Sequence, residues 1–148
     1  MVVFGFRLSL ARDRRLTLSD WRDVAVAVSE LAIARVKLGH ISVESLLKEQ
    51  APKGPRSGGY AERVERVRIA IARAHHRLPW RADCLVQALA ARRWLHRYGI
   101  ATTLSVGISA PLQEPFVAHA WLTHEGQSVT GGNVTGHISL KAVGTGDG

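Results

Sequence analysis

The chain has 148 residues, of which 46% are hydrophobic and 22% are charged. This length suits one domain with a hydrophobic core, and this composition excludes wholesale disorder. The net charge of +8 favours an anionic partner such as nucleic acid, an acidic peptide or a membrane surface. Arginines that merely solvate the outer faces of helices would give the same charge.

Cysteine usage and the N-terminus indicate the compartment. The chain has one cysteine, so no disulfide can form within it, which fits a reducing environment. Residues 1–6 are apolar but lack the basic segment that opens a signal peptide. No uncharged stretch approaches the roughly 20 residues that span a bilayer. We therefore expect a soluble cytoplasmic protein without a membrane span.

The first predicted elements are an extended segment and two helices. Residues 1–16 form the extended entry, and residues 17–20 (TLSD) supply N-cap chemistry. Apolar residues then recur at helical spacing over residues 21–38, and Gly39 suits the end of that helix. Ser42 is positioned to cap a second, shorter helix.

A loop and a third helix complete the N-terminal half. Residues 51–59 contain two prolines and three glycines, which predicts a loop. Residues 60–77 have an apolar face at helical spacing, with arginines around it. We predict a single domain, 1–148, because the first 50 residues lack enough apolar residues for a core of their own. Its first part, 1–78, is mainly helical.

The second half changes from helix to strand. A helix is predicted from Cys84 to about Tyr98, where Gly99 stops it. Strands are then predicted at residues 100–109, 116–123, 127–130 and 134–143, before a loose tail. Residues 79–143 thus comprise a cysteine-bearing helix and a small antiparallel sheet. The predicted fold class is α+β, with N-terminal helices followed by this unit.

Cys84 lies at the first turn of its predicted helix, with Asp83 as the expected N-cap. The positive end of the helix dipole and the unpaired N–H groups there favour the thiolate form. Helical spacing aligns Cys84 with Ala88, Ala91, Leu95 and Tyr98 on the core-facing stripe. The residues alone leave open whether Cys84 is a nucleophile or a small buried hydrophobic residue.

His119 lies in an otherwise apolar strand, residues 116–122 (FVAHAWL). Alternation places it on one face with Val117 and Trp121. A buried histidine needs partners for its ring nitrogens, and a cysteine thiol across the helix–sheet interface would give an activated Cys-His pair. A core histidine that is hydrogen-bonded to the backbone is the alternative.

Four segments in this order resemble one family. They are residues 83–89 (DCLVQAL), 95–100 (LHRYGI), 105–108 (SVGI) and 118–121 (AHAW). Over residues 80–130 the chain resembles the stand-alone leader peptidases of lasso-peptide biosynthesis, which belong to the transglutaminase-like cysteine protease superfamily. The N-terminal helices match only in general character.

The resemblance implies a transglutaminase/papain-like core and a cysteine endopeptidase activity. Cys84 would attack the scissile amide and His119 would act as the base. The substrate would be the precursor's leader peptide, held by a separate leader-recognition protein. An ATP-dependent cyclase would then act on the freed core peptide.

The third catalytic residue departs from the family pattern. The resemblance implies an acidic residue near position 131, where this chain has residues 130–133 (TGGN). If residues 124–127 close the hairpin, His119 lies opposite about Gly132, and Asn133 is the nearest residue that could orient the imidazole. A working Cys-His dyad, Asp147 from the tail, or a weakened enzyme are the alternatives.

The oxyanion donors are also predicted from position. The backbone N–H of Cys84 is the first, since it has no intrahelical acceptor. Gln87, one turn later, or Trp80 would supply a second donor, although Gln87 could instead be an orienting residue.

Cofactors and competing functions complete the predictions. The histidines show no metal spacing with Cys84, and there is no phosphate-binding loop, so we expect no metal and no cofactor. The same Cys-His pair could instead transfer the acyl group to an amine. A basic, non-enzymatic module that binds peptide or nucleic acid is the third reading. Nucleic acid is disfavoured because the arginines are dispersed without interleaved aromatic residues.

Overall fold

The computed structural model describes residues 15–42, 44, 45, 48, 60–80, 82–109, 118–132 and 137–143. Three long helices, α1 (Leu18–His40), α2 (Tyr60–His75) and α3 (Cys84–Arg97), precede four strands. The strands are β1 (Thr103–Ser109), β2 (Ala118–His124), β3 (Gln127–Thr130) and β4 (His137–Val143). The predicted α+β class is confirmed. The predicted entry segment, the loop at 51–59 and the tail lie outside the described residues, except for residues 15 and 16.

Helix α1 begins at the N-cap predicted from residues 17–20. The Thr17 hydroxyl accepts a hydrogen bond from the Asp20 backbone N–H, and the Asp20 carboxylate accepts one from the Thr17 backbone N–H at 2.9 Å. This reciprocal capping box satisfies two N–H groups that the helix cannot pair itself. The hydrogen bond from the Thr17 backbone is the main cause of the lowered pKa of Asp20.

The C-terminal end of α1 corrects one prediction. Gly39 does not end the helix, which continues to His40. The Ile41 N–H still bonds to the Lys37 carbonyl at 2.8 Å, so the helical hydrogen-bond pattern extends past the glycine. The short helix that follows is described only in part. Within that part, Ser45 donates its N–H to the Ser42 hydroxyl, as expected of an N-cap.

Helix α2 packs against α1, and it ends two residues before the predicted boundary. Leu31 of α1 and Ile71 of α2 are fully buried in the same core. At the edge of this contact the Arg66 guanidinium binds the Asp23 carboxylate through Nε and Nη2. Arg73 reaches the capping carboxylate of Asp20 at 3.2 Å. The two helices therefore form a layer with an apolar centre and a charged rim.

Helix α3 is the centre of the fold. It contacts α1 and α2 on one side and strands β1, β2 and β3 on the other. Its alanine-rich sequence allows this close packing, because small side chains let neighbouring elements approach on every side. The fully buried stripe Ala88, Ala91 and Leu95 continues from Cys84 at helical spacing. Tyr98, the last residue of the predicted stripe, is instead 44% exposed, because it is the C-cap beyond the last helical turn. The core-facing position predicted for Cys84 follows from this arrangement.

The sheet is antiparallel, with strand order β3-β2-β1-β4. Strands β2 and β3 form the predicted hairpin through Glu125 and Gly126, whose φ angles of 48° and 77° are those of a tight type I′ connection. A register shift between Leu122 and Thr123 pairs Leu122 with Thr130 instead of Val129. This bulge offsets the pairing of β2 with β3 by one residue at the end of β3.

Candidate active site

The candidate nucleophile, Cys84, is the first residue of α3 and is half-buried. Asp83 occupies the N-cap position, but its side chain makes no capping hydrogen bond. This differs from the expectation that the carboxylate would cap the helix. The Asp83 carboxylate therefore does not occupy the N–H groups of the first turn, which form the positive end of the helix beside the sulfur.

A hydrogen bond fixes the sulfur against strand β2. The backbone N–H of Ala120 donates to Cys84 Sγ at 3.4 Å. The sulfur therefore lies at the peptide group that joins His119 to Ala120. A donated N–H stabilises negative charge on sulfur, as does the helix end. Cys84 and the histidine strand, 36 residues apart in sequence, meet here as predicted.

The shortness of β3 explains why this N–H is available. Strand β3 has four residues, and its last pair with β2 is Thr130 with Leu122. Among the described residues, the β3-facing edge of β2 beyond Leu122 has no strand partner. The start of α3 approaches this open edge, and the sulfur takes the hydrogen bond that a longer β3 would have taken.

The imidazole of His119 is oriented by a backbone carbonyl. His119 Nε2 lies 2.8 Å from the carbonyl oxygen of Gly131, just after β3. A carbonyl oxygen only accepts, so Nε2 carries the hydrogen and donates it. In the neutral ring Nδ1 is then unprotonated, which is the state that a general base requires.

Gly131 can occupy this position because it has no side chain. Its φ is +94°, and a Cβ there would lie 2.5 Å from the Cβ of Trp121. The turn after β3 therefore passes close to β2, and its carbonyl reaches the imidazole. Trp121 also stacks on His119, with ring centroids 6.0 Å apart. Two independent contacts thus restrict the orientation of the ring.

The predicted third residues are not tested by this geometry. Asn133 and Asp147 both lie outside the described residues. The side chain of His119 bonds the carbonyl of Gly131, one residue before the position that was expected to lie opposite it.

Gln87 and Trp80 lie on either side of the nucleophile in sequence. The Gln87 side-chain amide donates to the Ala82 carbonyl at 2.8 Å, so it secures the segment that leads into Cys84. This contact corresponds to the orienting role, and the amide retains a second N–H. The Trp80 indole N–H is buried without a hydrogen-bond partner among the described residues. Both remain predicted donors to an oxyanion.

The sequence did not predict two backbone contributors to the site, the Ala120 N–H and the Gly131 carbonyl. For the carbonyl, a signal was present. This signal was the pair of glycines directly after β3, which was weighed only as a place lacking a carboxylate. Every residue has a backbone carbonyl, so residue type does not show which carbonyl acts as an acceptor. The only indication is a glycine, which allows the backbone to pass close to a neighbouring strand. Across the described part of the chain, no group of three or more His, Cys, Asp or Glu side chains is arranged to hold a metal ion.

Among the described residues, none of the helices combines the length and apolar character needed to cross a bilayer.

Comparison with known proteins agrees with this geometry at the level of the family. The family model described as the transglutaminase-like superfamily matches residues 24–143. Neither the curated proteins nor the solved structures include a significant match to the chain. The family match covers all three long helices except the first turns of α1, and all four strands, so it includes Cys84, His119 and Gly131. The chain therefore belongs to the transglutaminase-like superfamily, which includes cysteine proteases.

Proposed function

We propose that the protein is a cysteine endopeptidase that removes the leader peptide from a lasso-peptide precursor. The observation that carries the proposal is the position of Cys84 Sγ, at a helix N-terminus and 3.4 Å from the backbone N–H of the residue after His119. Membership of the transglutaminase-like superfamily supports a thiol-based acyl transfer. The lasso-peptide substrate is supported by the sequence resemblance over residues 80–130.

The proposed first step forms a thioester. His119 Nδ1 takes the thiol proton, and Cys84 Sγ attacks the carbonyl carbon of the scissile amide. The carbonyl oxygen becomes negatively charged and is stabilised by N–H groups at the start of α3. The C–N bond then breaks, and the imidazolium returns its proton to the leaving nitrogen. The core peptide departs with a free amino terminus.

The second step regenerates the enzyme. His119 removes a proton from water, which attacks the thioester carbonyl. The C–S bond breaks, the leader departs with a new carboxylate, and sulfur regains its proton. Throughout, the Gly131 carbonyl keeps the hydrogen on Nε2, so the catalytic proton passes through Nδ1. In this mechanism Cys84 and His119 act as a dyad whose base is oriented by the backbone.

The proposal includes partners and a location. A separate leader-recognition protein would present the leader, and the ATP-dependent cyclase would use the product. We expect all three in the cytoplasm, where a single unpaired thiol stays reduced. The choice between hydrolysis and acyl transfer depends on whether water or an amine reaches the thioester, since both routes share this intermediate.

Mass spectrometry of a candidate precursor tests the proposal. The precursor is incubated with the purified protein and its recognition partner, and wild type is compared with Cys84→Ala. A single cut between leader and core, absent from the variant, is the expected result. Joining of the leader to an added amine would establish the acyltransferase alternative. Equal cutting by both proteins, or no reaction although the precursor binds, would overturn the peptidase proposal.

A further inference from the structure

A second site lies on the opposite side of α3 from the sheet. A pocket of about 300 Å³ opens between α1 and α3. It is lined by Ala34, Lys37, Leu89, Arg92, Arg93, His96 and Arg97. Arg93 follows Cys84 by nine residues, or two and a half helical turns. It therefore projects from the opposite side of α3, about 14 Å farther along the helix axis. The pocket is therefore separate from the candidate active site.

The pocket has an excess of positive charge. Glu30 of α1, which is 2% exposed, pairs with both Arg93 and Arg97, at 2.9 Å and 2.5 Å. One carboxylate thus serves two guanidinium groups. Lys37 and Arg92 add two further cationic side chains to the lining. The excess charge favours an anion, because cations gathered at one site repel one another until a negative group enters.

Arg93 and Arg97 remain accessible from the pocket although both pair with Glu30. Their side chains are 37% and 52% exposed. The two guanidinium groups together carry more N–H donors than one carboxylate can accept. An added carboxylate at this pocket would accept hydrogen bonds from the exposed N–H groups.

The shape and lining distinguish between classes of anion. Ala34 and Leu89 give the pocket an apolar part, which suits the methylene groups of a glutamate or aspartate side chain. His96 is the single aromatic residue in this lining, and its Nε2 lies 3.3 Å from the Thr102 hydroxyl, so the pocket lacks the row of aromatic side chains on which successive bases stack. A pocket between two helices also differs from the extended basic groove that follows a nucleic-acid backbone. These features favour carboxylates carried on a peptide.

We propose that this basic pocket, between Lys37 of α1 and Arg92, Arg93 and Arg97 of α3, binds an acidic segment of a peptide or protein partner. It is an exosite, on the side of α3 opposite Cys84. That the acidic segment belongs to the precursor leader rests on the proposed function. Binding of an acidic peptide at this pocket does not depend on the proposed function, and it is measured without any cleavage. Each proposal can therefore be overturned without overturning the other.

Fluorescence anisotropy of a labelled hexaglutamate peptide at low ionic strength tests the site, with hexaglutamine as the uncharged control. Lys37→Glu is expected to raise the Kd roughly tenfold, because an attractive pair becomes a repulsive one. Arg22→Glu is the matched control: Arg22 is exposed on the same helix, about 22 Å from Lys37, and its reversal changes the net charge equally. This control should leave the Kd within about twofold.

Lys37→Gln separates a folding defect from a binding defect. It removes the charge without introducing a new one, and it should raise the Kd by a smaller factor while the melting temperature stays that of wild type. Equal weakening by the Lys37 and Arg22 reversals would show attraction to overall charge and would overturn the site. Absence of hexaglutamate binding would also overturn it, as would tighter Lys37-dependent binding of single-stranded DNA than of hexaglutamate.

Discussion

The two sides of α3 differ in the size and charge of their side chains. The side that faces the sheet has small buried residues, and it brings Cys84 against β2 with a single hydrogen bond from Ala120. The side that faces α1 has long cationic residues, and it holds Glu30 in a buried ion pair with Arg93 and Arg97. Small side chains let α3 lie close to the sheet, so that Cys84 reaches β2. Long charged side chains instead bridge the wider gap between α3 and α1. Substitutions on the first side should affect catalysis, whereas loss of the Glu30 carboxylate that the second side holds should affect stability.

The largest expected effect is on the sheet side. His119→Ala should lower kcat/KM for precursor cleavage by about a thousandfold, because the thiol loses its general base. Its melting temperature should change little, since His119 is only half-buried. Cleavage rates followed by mass spectrometry measure the loss.

His124→Ala is the control for His119. His124 lies on the same strand, and its Nδ1 bonds the Ala101 carbonyl at 2.8 Å, away from the cysteine. Its substitution should preserve most of the activity of the folded protein. A His124 variant as inactive as the His119 variant, although folded, would assign the effect to the strand instead of the base.

Gly131→Ala should have the next largest effect. The added Cβ would meet Trp121, so the turn would move and its carbonyl would leave His119 Nε2. We expect kcat to fall about a hundredfold, as displacement of a catalytic group by an ångström can produce, while KM changes less. Stability should fall too, by roughly 1–3 kcal/mol, because φ is positive there.

Gly132→Ala separates the carbonyl contact from the strain. Gly132 also has a positive φ, +65°, but an added Cβ would meet nothing within 4 Å. Gly132→Ala should therefore lose some stability, as Gly131→Ala does, but its kcat should stay close to that of wild type. Equal kcat values for the two variants would contradict a positioning role for the Gly131 carbonyl.

The helix side of α3 should respond in stability. Glu30→Gln leaves two guanidinium groups beside a neutral amide in the core, and the free energy of unfolding should fall by about 2 kcal/mol. This figure is below that of a fully buried pair because Arg93 and Arg97 are partly exposed. Urea unfolding measures the change, and kcat of the folded variant should match wild type.

Glu65→Gln is the matched control for Glu30. The same substitution then breaks an ion pair with Arg68 that is exposed on α2. Exposed pairs contribute less than about 1 kcal/mol, so this loss should be clearly smaller. A loss as large as that of Glu30→Gln would show that burial of the carboxylate is not what matters.

A small effect on stability is expected at the capping box of α1. Thr17→Ala removes half of the capping box of α1 and should cost about 1 kcal/mol. The pKa of Asp20 is lowered in the folded protein. The Asp20 carboxylate therefore stabilises the fold at pH values above the ordinary aspartate pKa, and this stabilisation is lost as the pH falls through the lowered pKa. Melting temperatures of variant and wild type should converge in acid. A constant difference at all pH values would contradict the coupling between Thr17 and Asp20.

The sequence predicted the elements because their signals are local. The capping residues at 17–20 and the apolar periodicity of α1 and α2 specify those helices, and Glu125-Gly126 specifies the hairpin. The meeting of Cys84 with the His119 strand was also predicted, from a helix stripe and a strand face. The family match supports that arrangement at the level of the superfamily.

What the sequence did not predict is non-local or lies in the backbone. The shift at Leu122 and Thr123 depends on how the hairpin packs, and no residue type marks it. The Gly131 carbonyl is a backbone atom, so a search among side chains for the third member of the site could not find it. The Glu30 pair joins α1 to the C-terminal half of α3, and helical spacing alone does not show which charges will meet.

Alkylation of the single cysteine tests the central claim most directly. Cys84 carries the only thiol of the chain, so iodoacetamide can alkylate a thiol nowhere else. The mass of the intact protein then gives the fraction of molecules in which Cys84 is blocked. The account predicts that precursor cleavage falls in proportion to that fraction and reaches zero when every molecule is modified. Fully modified protein that still separates leader from core would contradict the assignment of Cys84 as the nucleophile.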